Sequence, residues 1–166
     1  MLELAEQIEE AASEVGAFVL EPDDCMDDPW VAKGLRTRDI YVENGMFART
    51  NGRALYVVRF PEIPVRLVNK VMKAKKVFAL MYFRKGRPNT WIMCCYDSWH
   101  PHSYGDYLCL GSFEIGLNRF FKRADYHTFL FTVRQSVMNI YPGSIANRAS
   151  PLAYVCSECG GRTFEP

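Results

Sequence analysis

Two closely spaced Asn-Gly pairs, Asn44-Gly45 and Asn51-Gly52, constrain the fold of this chain more than any other feature. Both residues of such a pair accept positive φ, which tight two-residue hairpin turns require. The pairs separate three β-prone runs, Arg38 to Glu43, Met46 to Thr50 and Arg53 to Phe60, so the stretch predicts a three-stranded antiparallel meander. Two further runs, Phe78 to Phe83 and Thr90 to Tyr96, flank the turn-forming Lys85-Gly-Arg-Pro-Asn89 and predict a strand pair that extends the sheet.

Helical periodicity frames this sheet. Residues 2 to 15 place Leu4, Ile8, Ala11, Ala12 and Val15 on one face with acids opposite, and Gly16 supplies a stop. Ala17 to Leu20 predicts a short strand, and the acidic stretch EPDDCMDDPW that follows has no clear period and predicts a loop. Val65, Val68, Val71 and Met72 stand at helical spacing, although their β-branched content also suits a strand. Leu117, Phe120 and Phe121 predict a short helix. The stripe Tyr126, Phe129, Leu130, Val133, Val137 and Ile140 predicts a long one, capped by Asp125 and stopped by Pro142-Gly143. The expected architecture is a single α+β domain over residues 1 to 166, an antiparallel meander packed by helices on one side, with residues 144 to 166 as a C-terminal tail.

A chain of 166 residues, 49% of them hydrophobic, can bury a sufficient core without disulfide support. Its formal charge of +1 creates no global field for nucleic acid. The local run from Arg66 to Lys76, with Arg84, Lys85 and Arg87, could contact phosphates but is first of all a solvated face. No apolar run approaches the roughly 18 residues of a membrane span, and the acidic start MLELAEQIEE is unlike a signal or transit peptide. A cytoplasmic protein without membrane contact is expected. A glycine-rich phosphate loop, a serine nucleophile elbow and a zincin helix are all missing from the sequence, which removes support for several large enzyme classes.

Six cysteines in this setting suggest free thiols, metal ligands or a nucleophile before they suggest a disulfide framework. Cys156-Ser-Glu-Cys159-Gly-Gly is half of a zinc knuckle, since thiolates two residues apart can share one Zn2+ and the glycines relieve crowding in the turn. Structural zinc takes four ligands, so two more must come from elsewhere. His100 and His102 flank a proline, and Cys109 follows a Ser-Tyr-Gly-Asp-Tyr loop that can bend back. Zinc held by four of His100, His102, Cys109, Cys156 and Cys159 is the expectation. The plainer alternatives are a pair of unliganded thiols on a tail and imidazoles hydrogen-bonded to backbone. Cys94 and Cys95 should point to opposite faces of a strand and cannot readily share a metal. Cys25 has no evident partner, and His127 suits a surface or core role.

The order of an N-terminal amphipathic helix, a meander, Phe60-Pro-Glu-Ile-Pro64, His100-Pro-His102, Cys109-Leu-Gly111 and C-terminal helices resembles the ubiquitin-conjugating enzyme fold, particularly its divergent bacterial and bacteriophage branches. In that family a Tyr-Pro-x-x-Pro-Pro turn precedes a His-Pro-Asn motif, and the nucleophilic cysteine follows. The resemblance implies that Cys109 would carry a ubiquitin-like protein as a thioester, with His102 donating to the oxyanion in place of the family's Asn. It also implies a phage or mobile-element setting, in host cytoplasm or virion. Three features depart from the family: His102 replaces Asn, extra residues separate Pro64 from His100, and the Cys156/Cys159 pair is foreign to it. If Cys109 is a zinc ligand, the domain is a non-catalytic binding or assembly protein with a protein partner. If Cys109 is free, the domain is a conjugating enzyme.

Overall fold

A computed structural model describes residues 2–66, 71–111 and 113–139. Along the chain run α1 (Leu4–Glu14), β1 (Phe18–Leu20), α2 (Pro22–Asp27), α3 (Pro29–Thr37), β2 (Tyr41–Glu43), β3 (Met46–Ala48) and β4 (Ala54–Arg59). They are followed by β5 (Ile63–Arg66), β6 (Val71–Ala74), β7 (Val77–Phe83), β8 (Thr90–Cys95), β9 (Ser103–Tyr104), β10 (Tyr107–Leu108), α4 (Phe113–Lys122) and α5 (Tyr126–Met138). The architecture is α+β. An antiparallel six-stranded sheet has the order β1-β4-β7-β8-β10-β9, and two separate hairpins, β2-β3 and β5-β6, stand outside it.

Strand β7 lies at the centre, and six of its seven residues are buried because both faces of the sheet are covered. Val58, Ala79, Met81, Met93 and Cys95 face a core made with Ile8 of α1, Leu117 and Phe121 of α4, and Phe129, Leu130 and Val133 of α5. Val57, Phe78, Leu80 and Cys94 face a second core with Cys25 of α2 and Val31 and Leu35 of α3. The side-chain alternation of a strand sorts these neighbours into two layers. Helices therefore cover both faces, and not one side as the periodicity predicts.

The second layer exists because the acidic stretch after Leu20 is helical and not a loop. Pro22 and Pro29 occupy first-turn positions, where a missing N–H costs nothing. Asp28 caps α3 by accepting from the backbone N–H of Trp30 (3.0 Å) and Val31 (3.1 Å). The same carboxylate meets Arg59 Nε of β4 at 3.0 Å, fixing the start of α3 to the sheet. Gly34 then lets α3 lie on Phe78, since a Cβ there would stand 2.5 Å from the ring's Cζ.

Of the two Asn-Gly turns, the first closes the β2-β3 hairpin, with Asn44 at φ 53° and Gly45 at φ 72°. The second, Asn51 at φ 56° and Gly52 at φ 74°, redirects the chain, and β4 leaves β3 to pair with β1 and β7. The predicted three-stranded meander is thus a two-stranded hairpin followed by a sheet strand. The described residues of the 65–76 stretch are strands and not a helix: β5 and β6 pair antiparallel, Val65 opposite Met72, as β-branched residues prefer, while Val68 lies outside the described residues. The β7-β8 pair, α1, α4 and the described part of α5 stand where periodicity puts them, with Ile140, Pro142-Gly143 and the tail from 144 outside the described residues, and Asp125 caps α5 by accepting from Thr128 N–H at 3.2 Å.

Candidate functional site

The segment that carries the candidate ligands leaves the sheet at Cys95. Cys94 and Cys95 are fully buried in opposite cores, and with Cys25 they are free thiols. Burial pushes Cys94 up to about 12 despite the nearby Arg38 charge, and burial with neighbouring Asp24, Asp28 and Glu21 pushes Cys25 up to about 12. These are packing sulfurs, protonated and inert at neutral pH. Two residues on, the buried carboxylate of Asp97 accepts from the backbone N–H of Lys75 (3.0 Å) and of Lys76 (2.8 Å). It clamps the departing chain to the β6-β7 connection.

His100 is fully buried and braced on three sides. Its backbone N–H donates to Asp97 O at 2.9 Å, its Nδ1 accepts from the His102 backbone N–H at 3.0 Å, and its Nε2 lies 3.0 Å from Val137 O. An Nδ1 that accepts requires the proton on Nε2, so the ring is a neutral imidazole donating to the last turn of α5. Burial, reinforced by His102, pushes its pKa down to about 3. A metal at His100 would have to displace one of these two ring hydrogen bonds.

The next residues form a hairpin. β9 and β10 pair Leu108 with Ser103 and Tyr107 with Tyr104 around Gly105, which sits at φ 63°. One step beyond the ladder, Cys109 N–H donates to His102 O at 2.8 Å. His102 and Cys109 are therefore direct cross-strand neighbours, and such neighbours project to the same side of a hairpin. His102 is 1% exposed and Cys109 half-buried. Unlike Cys25, Cys94 and Cys95, Cys109 is not among the free thiols. At the hairpin tip Asp106 accepts from an Arg38 guanidinium nitrogen (2.8 Å) and from the Tyr96 hydroxyl (3.1 Å). Burial alone would raise the Asp106 carboxyl, but the hydrogen bond and charge of Arg38 outweigh it and hold it below the usual range.

The structure thus brings His100, His102 and Cys109 into one buried corner, while Cys156 and Cys159 lie outside the described residues. Among the described residues, no group of three or more His, Cys, Asp or Glu side chains is arranged to hold a metal. His127 is half-exposed and pairs with Glu14 of α1, away from this corner. Asp97 and Asp106, which position the segment, carry no motif that would single them out. Comparison with protein families, with curated proteins and with solved structures finds no match to this chain.

Proposed function

We propose that the chain is a zinc-stapled domain on the ubiquitin-conjugating plan that works by binding a protein partner. His102, Cys109, Cys156 and Cys159 form the ligand set, and no acyl group passes through Cys109. The observation that carries this is the cross-strand pairing of His102 with Cys109. A hairpin supplies an imidazole and a thiolate on one side, which is half of a tetrahedral Cys3His site, and a Cys-x-x-Cys pair is the natural other half. His100, with both ring nitrogens hydrogen-bonded, serves better as the buttress behind His102 than as a ligand.

In a reducing compartment cysteines are kept as thiols, the form from which a zinc ligand is made. A closed four-ligand site keeps no open position, so Cys109 in it is no nucleophile. The order of the sheet, with β1, β4, β7 and β8 antiparallel in chain sequence, α1 before them and α4 and α5 after Cys109, supports the conjugating-enzyme plan. Binding is supported by exposed apolar side chains just before and after Cys109, with Tyr104 63% and Ile115 70% exposed.

Elemental analysis of protein purified under reducing conditions tests the assignment. One zinc per chain is expected, lost in H102A and in C109A, with Cys25, Cys94 and Cys95 all refractory to iodoacetamide until the protein unfolds. Metal-free protein would overturn the staple. A reducible adduct between Cys109 and an activated ubiquitin-like protein would establish the conjugating enzyme instead.

A further inference from the structure

Five arginines converge on an open cleft of about 460 Å³ at one end of the main sheet. Arg38 comes from the end of α3, Arg49 and Arg53 from the β3-β4 connection, and Arg84 and Arg87 from the β7-β8 turn. The floor is apolar, made by Ile40, Tyr82 and Ile92, and Thr50, Asn51 and Thr90 add neutral polar groups.

The charge is only partly answered. Arg38 pairs with Asp106 at 2.8 Å, and Arg49 pairs with Asp39 at 3.0 Å. Arg53, Arg84 and Arg87 have no ion-pair partner among the described residues. The Arg53 guanidinium instead donates to the Thr90 hydroxyl at 2.9 Å, and that of Arg84 to Asn51 O at 3.2 Å. These bonds to neutral acceptors aim the two guanidinium groups while leaving further N–H donors for a ligand. The register sharpens the point. Ala54 pairs with Phe83, so Arg53 and Arg84 face each other one step further along the same two strands. Like charges directly opposite on a sheet are destabilising, and here no carboxylate relieves them.

We propose that this cleft binds the polyphosphate group of a small phosphorylated molecule of nucleotide size. Guanidinium groups grip phosphate oxygens in paired, planar hydrogen bonds, and three uncompensated arginines match the charge of a di- or triphosphate. The volume suits one small ligand, with the apolar floor receiving its organic part. A concave cleft bounded by two turns favours a compact ligand over an extended strand. The cleft shares no lining residue with the His102-Cys109 pair, touching that hairpin through Arg38 and Asp106, and it stands whether or not zinc binds there.

Titration calorimetry of the full chain with inorganic triphosphate, a nucleoside triphosphate and an oligonucleotide without terminal phosphates tests it. Saturable one-to-one binding of a triphosphate is expected, weakened about tenfold or more in R84A and in R53A, the cost of one charge-assisted hydrogen bond. R87A, on the exposed turn, should weaken binding while leaving the melting temperature unchanged, which separates ligand loss from misfolding. Tighter binding of the nucleoside form would assign the organic part to the Ile40-Tyr82-Ile92 floor, and equal binding would assign recognition to phosphate alone. The proposal is overturned if neither triphosphate binds, if the oligonucleotide binds more tightly, or if R84K keeps full affinity, since a diffuse positive field would not distinguish lysine from arginine.

Discussion

Gly34 shows how closely single residues constrain this fold. Alanine is the better helix former by about 1 kcal/mol. At this position, however, its Cβ would stand 2.5 Å from Cζ of the buried Phe78 ring, which cannot retreat without disturbing Leu35 and Tyr96 around it. Overpacking of this kind costs about 1–3 kcal/mol, so G34A should lower stability in urea unfolding by about 1–2 kcal/mol. Trimming the ring in the G34A/F78L double variant should recover part of that loss, and additivity of the two changes would refute the contact. From the sequence, Gly34 is only a weak spot in a segment without periodicity, because Phe78 lies far along the chain. The same distance hides the role of His100, whose brace to Val137 crosses 37 positions. The turn that sets Cys109 against His102 is local, and a Gly-containing loop able to bend back is legible in the residues themselves.

Among the elements, those with local causes were legible and those with distant partners were not. Asn44-Gly45 makes its hairpin from within, and α5 carries both its cap and its apolar stripe. Helices α2 and α3 did carry signals, prolines at the first turn and a capping Asp28, but dense acidic residues obscured an apolar stripe only a few positions long. Val65, Val71 and Met72 suited helix and strand alike, and pairing between β5 and β6 decided their outcome. The Arg cleft draws on three separate stretches, so no window of sequence displays it. The connection between β6 and β7 is held by Asp97, which accepts from two backbone N–H groups, and by Arg59, whose guanidinium donates to Lys75 O at 2.6 Å and to Val77 O at 3.0 Å. D97A removes charge-assisted bonds and leaves those donors unanswered, so it should destabilise the protein by about 2–3 kcal/mol in chemical denaturation. D97N should cost less, because one amide oxygen can still accept.

Across the whole molecule, β7 is shared by two cores, and this makes them cooperative. Its residues alternate between the layer under α1, α4 and α5 and the layer under α2 and α3, so neither core survives loss of the strand. L35A, a cavity in the smaller layer, should cost about 2–5 kcal/mol. Fluorescence or 19F signals of Trp30, which packs on Tyr96 beside that layer, and of Trp91, which packs on Phe129 in the other, should move through one coincident transition. Separate midpoints would show two independent units.

The strands at the two ends of the sheet are shorter than the inner strands β4 and β8. At one end stands β1, three residues long, and at the other β9, with two. β1 pairs only with residues 57–59 of β4, and β10 meets β8 at Cys94, so residues 54–56 and 90–93 lie outside those ladders. A strand that adds to this sheet would therefore lie beside a short end strand, on the uncovered part of β4 or β8, and not along the end strand itself.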